Sequence, residues 1–233
     1  MDGESGADAD SGELGVTHAV GPLATHEPTP TQAIQAIVGM FLICVLDWIA
    51  GLTIDYATVF DDDASRILKV VDTTGQILFW IVAILAIIAV STRRRPQVII
   101  RIFAVFLLVA TLQLLINIFA LVTSAGVRDD TVVWGLWDVG AVYMVIVAVF
   151  TGWYWLLDVV VPGGAFVFPK KADHFEPKLV DYVFIAFNTN ATFGPTSESV
   201  VSRRAKVAMM LQTACSLLIL LVFIARIVVL RAG

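Results

Sequence analysis

Residues 98–123, VIIRIFAVFLLVATLQLLINIFALVT, decide the class of fold. Apart from two threonines, polar side chains interrupt this stretch only at Arg101, Gln113 and Asn117. A soluble helix needs one apolar stripe, whereas a helix of about 20 residues that is apolar on every face matches the thickness of a bilayer. We therefore predict that this segment spans a membrane.

Four further apolar stretches lie on either side of it. They cover residues 33–52, a stretch that ends at Val90, residues 136–161 and residues 207–230. The stretch that ends at Val90 has a shorter uninterrupted core and includes residues 68–75 in its first turns. Of the 233 residues, 58% are hydrophobic and only 15% are charged, which is typical of a chain solvated by lipid. We predict an all-α integral membrane protein with about five transmembrane helices.

The N-terminal residues have a different composition. Residues 1–31 are rich in Gly, Ser, Asp, Glu, Thr and Pro and contain no Lys or Arg. Such a segment cannot bury enough apolar surface to fold, and without a basic region it is not a signal peptide. The predicted organisation is a disordered acidic tail over 1–31, a four-helix transmembrane region over 32–161, and a pore-helix-like segment plus the last transmembrane helix over 162–233.

A short apolar segment precedes the last span. Residues 179–187 are apolar but too few to cross a bilayer, and they run directly into the polar sequence NTNATFGPT at 188–196. A short helix followed by small polar residues is typical of a re-entrant segment. We predict a re-entrant helix over 177–190. The alternative is an interfacial or surface-packed helix that ends in a loop.

The distribution of Lys and Arg predicts the orientation, since both concentrate in short cytoplasmic loops. Five spans put ten basic residues on the side of the N-terminus and five on the other. The larger set is Arg93, Arg94, Arg95, Arg101, Lys170, Lys171, Lys178, Arg203, Arg204 and Lys206. The smaller set is Arg66, Lys69, Arg128, Arg226 and Arg231. The N-terminus, and with it the turn at 188–196, is predicted to lie inside.

Three charged residues fall within the apolar stretches. An ionised group at bilayer depth costs at least about 2.5 kcal/mol on insertion scales. One hypothesis pairs Asp47 with Arg101 or Arg226, which would hold the helices in place or serve a proton or ion path. The alternative is that the side chains snorkel to the interface, which is easier for the two arginines than for Asp47.

Catalysis has little support in the sequence. It contains no nucleophile elbow, no phosphate-binding glycine loop and no set of metal ligands, so we expect no enzyme activity, no cofactor and no metal. Cys44 and Cys215 lie in apolar stretches and are predicted to be buried thiols. A net charge of -5 without a basic face gives no indication of a nucleic-acid partner. Short loops and the missing signal peptide indicate a bacterial inner membrane.

The C-terminal third resembles the two-helix pore unit of potassium channels. The order helix, short apolar helix, Thr/Gly segment, basic link and helix spans residues 156–230. Residues 182–194, YVFIAFNTNATFG, are similar to the pore helix and the start of the filter. The resemblance implies a tetramer and a monovalent cation. It also implies a filter-like turn of Thr189, Thr192, Phe193, Gly194, Pro195 and Thr196, of which all but Pro195 would line the narrowest part.

The match ends at Pro195 and Thr196, which stand where that family has Tyr and the second Gly of its filter. Proline is fixed at a φ of about -65° and a β-branched Thr resists positive φ. The outer half of the filter must therefore follow another path, so potassium selectivity is not expected. The orientation also differs, because potassium channels insert their pore loop from outside.

A wider stretch resembles an uncharacterised family of bacterial integral membrane proteins with a channel-like C-terminal half. The shared order is a Gly turn at 162–164, Pro169, a helix that begins at Asp181 and Tyr182, a Thr turn at 192–196 and a Ser-Arg-Arg link at 202–204. This resemblance brings no established activity with it.

Together these patterns favour a channel-like protein that passes cations through a non-standard filter. Its partners would be the lipid bilayer, other copies of the chain and a monovalent cation. The competing hypothesis is a non-conducting membrane scaffold or sensor, in which the pore-like segment only packs the bundle. A transporter is less supported, because only one broken helix is present.

Overall fold

A computed structural model describes residues 30–53, 62–91, 96–124, 132–168, 177–192 and 198–231. These residues form six helices and one pair of short strands. In chain order they are α1 (Pro30–Thr53), α2 (Asp62–Ser91), α3 (Pro96–Ser124), α4 (Val132–Val160), β1 (Phe166–Val167), α5 (Leu179–Thr192), β2 (Ser199–Val200) and α6 (Arg203–Arg231).

Four helices are long and apolar enough to cross a membrane. Their apolar portions are Thr31–Leu52, Gln97–Thr123, Leu136–Val160 and Arg203–Val228. The long helix α2 differs, because the apolar portion found among its described residues, Thr73–Leu85, is too short to span. The prediction of a helical membrane protein is confirmed at this level.

Local sequence explains where the helices begin and end. Pro30 and Pro96 open α1 and α3, and proline suits the first helical position because its fixed φ is already helical and its missing N–H has no partner there. Residues 30 and 31, which the sequence assigned to the tail, therefore belong to α1. Beyond α4, Gly163 and Gly164 adopt φ of 81° and 83°, a backbone region that other residues rarely enter.

Contacts between α1 and α3 and between α3 and α4 give the directions of these helices. Asn117 of α3 contacts Asp47 of α1, and an added Cβ at Gly39 would lie 4.0 Å from Phe103. Position 39 of α1 lies beside position 103 of α3, and position 47 lies beside position 117. The residue numbers increase in the same direction along both helices, so α1 and α3 are parallel. Phe103 also contacts Trp155, whereas Thr111 bonds to Trp153, so α4 runs the opposite way to α3.

Helix α6 continues the alternation in direction. Tyr154 contacts Gln212 and Asp138 contacts Arg226, so α6 is antiparallel to α4. Helices α1, α3 and α6 therefore begin at the same end of the bundle, which we call the proximal end. Helix α4 begins at the opposite, distal end.

Helix α4 lies at the centre of the bundle. Of its spanning portion 72% is buried, against 39% for α1 and α3 and 33% for α6. Helices α1, α3, α5 and α6 all pack on it. The largest fully buried side chains of α3 and α4 include Phe103, Phe106, Leu107, Ile146, Phe150 and Tyr154. These four helices are therefore positioned relative to one another by their packing on α4.

Gly152 allows α3 and α4 to approach closely. A Cβ at this position would lie 2.7 Å from Leu107 Cδ2 and 3.3 Å from Phe103 Cζ, and both side chains are buried. Small residues at such crossings are a common device of membrane helices, because close backbones gain van der Waals contact.

We predict that Gly152→Val destabilises the bundle by about 1–3 kcal/mol, the usual cost of overpacking. The measurement is the midpoint of thermal unfolding in detergent. Gly140→Val in the same helix is the matched control, because a Cβ at Gly140 would meet nothing within 4 Å. Equal midpoints for the two variants would contradict the close approach at Gly152.

Candidate functional site

Asp158, near the end of α4, fixes the connection to α5. Its Oδ1 accepts hydrogen bonds from the backbone N–H of Ala165 at 2.6 Å and of Phe166 at 3.0 Å. Its Oδ2 accepts the hydroxyl proton of Tyr182 at 2.6 Å. A Cβ at Gly164 would lie 3.1 Å from Oδ1, so glycine leaves room for this arrangement. One carboxylate therefore joins α4, the turn and the first turn of α5.

The Tyr182 phenol stays a donor at neutral pH. Burial, followed by the charge of Asp158, raises its pKa, since both factors oppose formation of a phenolate. The ring of Tyr182 is buried and packs edge-on against Phe166 and Phe168. The start of α5 is therefore held by a charged hydrogen bond and by aromatic contacts.

Strands β1 and β2 bring the chain back to the end of α4. Phe166 pairs with Val200 and Val167 with Ser199 in antiparallel register. The backbone N–H groups of Val201 and Ser202 both point to the carbonyl of Ala165. Helix α6 begins at Arg203, so the chain enters and leaves the α5 region at the proximal end.

One face of α5 is buried and the other is exposed. The buried residues Tyr182, Ile185, Ala186, Thr189 and Asn190 recur at helical spacing. Val180, Phe184 and Phe187 are exposed on the opposite side. Helix α5 packs on α4 and α6, and its buried face carries its polar residues toward them.

Four polar side chains meet beside the last turn of α5, and we call them the Asn190 cluster: Tyr154 of α4, Asn190 of α5, and Gln212 and Ser216 of α6. Gln212 Nε2 donates to the carbonyl of Ala186 at 2.7 Å and to Asn190 Oδ1 at 2.6 Å. Ser216 donates to the same Oδ1 at 2.5 Å, and Tyr154 donates to Gln212 Oε1.

This pattern fixes the amide orientations. The carbonyl of Ala186 can only accept, so Gln212 must turn its Nε2 toward it and present Oε1 to Tyr154. Asn190 must then present Oδ1 to Gln212, which directs its Nδ2 toward the opposite side. There Nδ2 is buried, and no described residue accepts a hydrogen bond from it.

The cluster lies deep in the bundle. Gln212 and Ser216 are nine and thirteen residues after the start of α6 at Arg203, which is about 14 and 20 Å along a helix. Half the hydrocarbon thickness of a bilayer is about 15 Å. The end of α5 therefore lies at the depth of the middle of the spanning helices, while Tyr182 lies near the end of α4.

The filter-like turn is described only in part. Thr189 is helical and fully buried, and its hydroxyl donates to the carbonyl of Ile185 at 2.8 Å. Thr192 is the last residue of α5. The other predicted residues, at positions 193–196, lie outside the described residues.

The intramembrane charges have other neighbours than those expected. Asp47 is buried and accepts a hydrogen bond from Asn117 Nδ2 at 3.1 Å. Arg226 Nη1 lies 3.6 Å from Asp138 Oδ2. Arg101 is exposed and lies sixteen residues before Asn117 in α3, about 24 Å away along that helix. The pairing of Asp47 with Arg101 is therefore wrong, and Arg226 forms an ion pair with Asp138.

The described residues contain no candidate metal site, and both cysteines are free thiols. No three side chains of His, Cys, Asp or Glu are grouped there so that they could hold a metal ion. Cys44 and Cys215 are free and buried, which confirms the prediction of buried thiols.

No family model, curated protein or solved structure matches the chain. The resemblances to the potassium-channel pore unit and to the uncharacterised bacterial family therefore stay predictions. The site is defined by its own geometry.

Sequence reasoning missed most of the residues that hold α5. Asp158, Tyr154, Gln212 and Ser216 were not selected, although Gln212 was the strongest available signal. A glutamine inside a long apolar helix is costly in hydrocarbon unless it has a partner. Its partner could not be named from the sequence, because the rotation of α6 toward α5 depends on packing.

We predict that Gln212→Met destabilises the protein by roughly 2 kcal/mol, since it removes three hydrogen bonds worth about 0.6 kcal/mol each in membrane proteins. Unfolding in mixed detergent micelles measures this change. Adding Tyr154→Phe to Gln212→Met should recover part of the loss, because it removes a hydroxyl that has lost its acceptor. Simple additivity of the two destabilising effects would contradict the cluster. Thr123→Val is the control, because the Thr123 hydroxyl bonds only within α3.

Proposed function

We propose that this chain is a channel-like integral membrane protein in which α5 is a re-entrant, pore-helix-like element. It passes monovalent cations through a filter of non-standard sequence that follows α5. Several copies, most naturally four, surround the pore. The proposal has two structural parts, the insertion of α5 and the preference for cations.

The observation that carries the proposal is the placement of the two ends of α5. Tyr182 is bound to Asp158 near the proximal end, whereas Asn190 is bound to Gln212 and Ser216 at mid-depth. By Ser199 the chain has returned to pair with β1 at the proximal end. A helix that enters and a chain that leaves at the same end have the form of a re-entrant segment.

The direction of α5 favours a cation. Its C-terminus lies at mid-depth, and the aligned peptide dipoles of a helix place a partial negative charge at that end. A cation near that end is stabilised most where water is scarce, because little solvent screens the interaction. Helix C-terminal ends that coordinate cations inside membranes work in this way.

Charge at the distal end favours cations as well. The connections α1–α2 and α3–α4 join helices there, and with the start of α2 they carry six carboxylates against the three basic residues Arg66, Lys69 and Arg128. The acids are Asp55, Asp61, Asp62, Asp63, Asp129 and Asp130. A negative surface raises the local concentration of cations and repels anions.

Helix α2 serves as a fifth span in this proposal. It has 30 residues, a length of about 45 Å, and it packs on both α1 and α3. Phe79 contacts Phe106, and Gln113 lies against Gly75, so α2 runs antiparallel to α3. With five spans the basic proximal end lies in the cytoplasm by the positive-inside rule, as in a bacterial inner membrane. The re-entrant segment then opens to the cytoplasm.

A non-conducting scaffold or sensor is the second candidate. It is favoured by the burial of Thr189 and Asn190 inside one protomer, where their side chains bond to α5 itself and to α6. In this case the Asn190 cluster serves only to seat α5 in the bundle. The two candidates share the re-entrant geometry and differ in whether ions pass.

A labelling experiment tests the re-entrant geometry. We predict that Lys178→Cys and Ser199→Cys react with a membrane-impermeant maleimide from the same side of sealed vesicles. Arg66→Cys reacts only from the opposite side. Background is low because Cys44 and Cys215 are buried. Labelling of positions 178 and 199 from opposite sides would show that α5 crosses the membrane.

Flux into proteoliposomes tests conduction. We predict potassium and sodium flux above that of empty liposomes. Thr192→Ala and Gly194→Ala should each reduce it about tenfold or more, since about 1.4 kcal/mol added to the barrier is sufficient for that change. Thr123→Ala in α3 is the matched control and should conduct like the parent. Folded protein without flux would leave the scaffold as the better account.

A further inference from the structure

A patch of exposed cations surrounds the proximal end. It consists of Arg101 in α3, Lys178 before α5, and Arg203, Arg204 and Lys206 in α6, and we call it the basic rim. In the part of the chain that the structure describes, none of these five side chains forms an ion pair with a carboxylate. The rim therefore offers its full charge to a partner.

Three rim residues lie at the start of a helix, where an anion would stabilise them further. Arg203, Arg204 and Lys206 occupy the first turn of α6, where no acidic residue is present. Peptide dipoles make the start of a helix partially positive, so cations placed there are destabilised until an anion neutralises them. The rim is thus positive both by its side chains and by its backbone.

The chain itself supplies an acidic segment at the same end of the bundle. Residues 1–29 carry six carboxylates and no Lys or Arg. They are Asp2, Glu4, Asp8, Asp10, Glu13 and Glu27. This segment leads into α1 at Pro30, and α1 begins at the proximal end together with α3 and α6. We propose that residues 1–29 dock on the basic rim as its intramolecular anionic partner.

The acidic segment is long enough to reach the rim. Helices α1 and α6 both pack on α4, so their ends are at most about two helix spacings, or 20 Å, apart. Twenty-nine residues in random-coil form would have a root-mean-square reach of about 30 Å. The tether gives the carboxylates an effective concentration in the millimolar range, which favours them over free anions.

Anionic lipid is the competing partner for the same cations. Phosphate headgroups interact with basic residues at the ends of membrane helices with about 1 kcal/mol for each residue. An anionic lipid surface repels the acidic segment, so at the membrane surface the segment can bind only at the basic rim. The acidic segment and anionic lipid therefore compete for the rim, and the experiment distinguishes them. Docking of the segment does not require that the chain conduct ions.

The test uses the full chain in nanodiscs of neutral phosphatidylcholine, with a water-soluble spin label on Ala7→Cys. Cys44 and Cys215 are buried and stay unlabelled. We predict a restricted label that becomes mobile when Arg203, Arg204 and Lys206 are all changed to Gln. About 0.5 M salt, at which the screening length falls to roughly 4 Å, should have the same effect. The matched control Arg66→Gln with Lys69→Gln, at the distal end, should leave the label restricted.

Three results would overturn the proposal. The label could be fully mobile in the parent protein, it could stay restricted in the rim variant, or it could be released equally by the distal control.

The same measurement in nanodiscs with 30% phosphatidylglycerol tests anionic lipid as the partner. If lipid is the partner, the label is mobile in both bilayers and phosphatidylglycerol binds to the parent more than to the rim variant. The readout is label mobility, so failure of ion flux leaves this test unaffected.

Discussion

Hydrocarbon offers no hydrogen-bond partner, and in the proposed re-entrant arrangement this constraint determines how α5 ends. A polar side chain such as Asn190 has to find its partners within the protein, because leaving it unpaired there would cost several kcal/mol. Gln212 and Ser216 of α6 both donate to its Oδ1, whereas its buried Nδ2 has no hydrogen-bond partner among the described residues. The opposite end of α5 is held by Asp158 through Tyr182. These two attachments hold both ends of α5 against the bundle.

Helix α4 connects these attachments to the rest of the bundle. It carries both Asp158 and Tyr154, and its central position lets α1, α3, α5 and α6 pack on the same rigid element. Gly152 brings α3 close enough to complete that packing. The basic residues of α6 then fall next to the place where α5 enters. The position of α5, the polar cluster and the charged rim are therefore consequences of one packing arrangement.

The sequence predicted the parts of the fold that depend on composition along the chain. Of the about five spans that apolar length predicts, four helices are long and apolar enough to cross a membrane. The helix predicted over 177–190 is observed over Leu179–Thr192. Partner choice could not be predicted in the same way. Asp47 contacts Asn117 and Arg226 contacts Asp138, because helix rotation and relative depth decide which polar groups meet. The cluster around Asn190 was missed for the same reason, since Gln212 and Ser216 are isolated polar residues in an apolar helix.

The central claim is that α5 ends near the middle of the bilayer. The most direct test is the depth of a nitroxide on Ala191→Cys, an exposed position in the last turn, measured by power saturation with oxygen and a water-soluble nickel chelate. The account predicts a label at least about 10 Å deeper than one on Lys178→Cys, since thirteen helical residues separate the positions by up to about 20 Å. Equal depths at the headgroup level would show that α5 lies in the interface and would contradict the account.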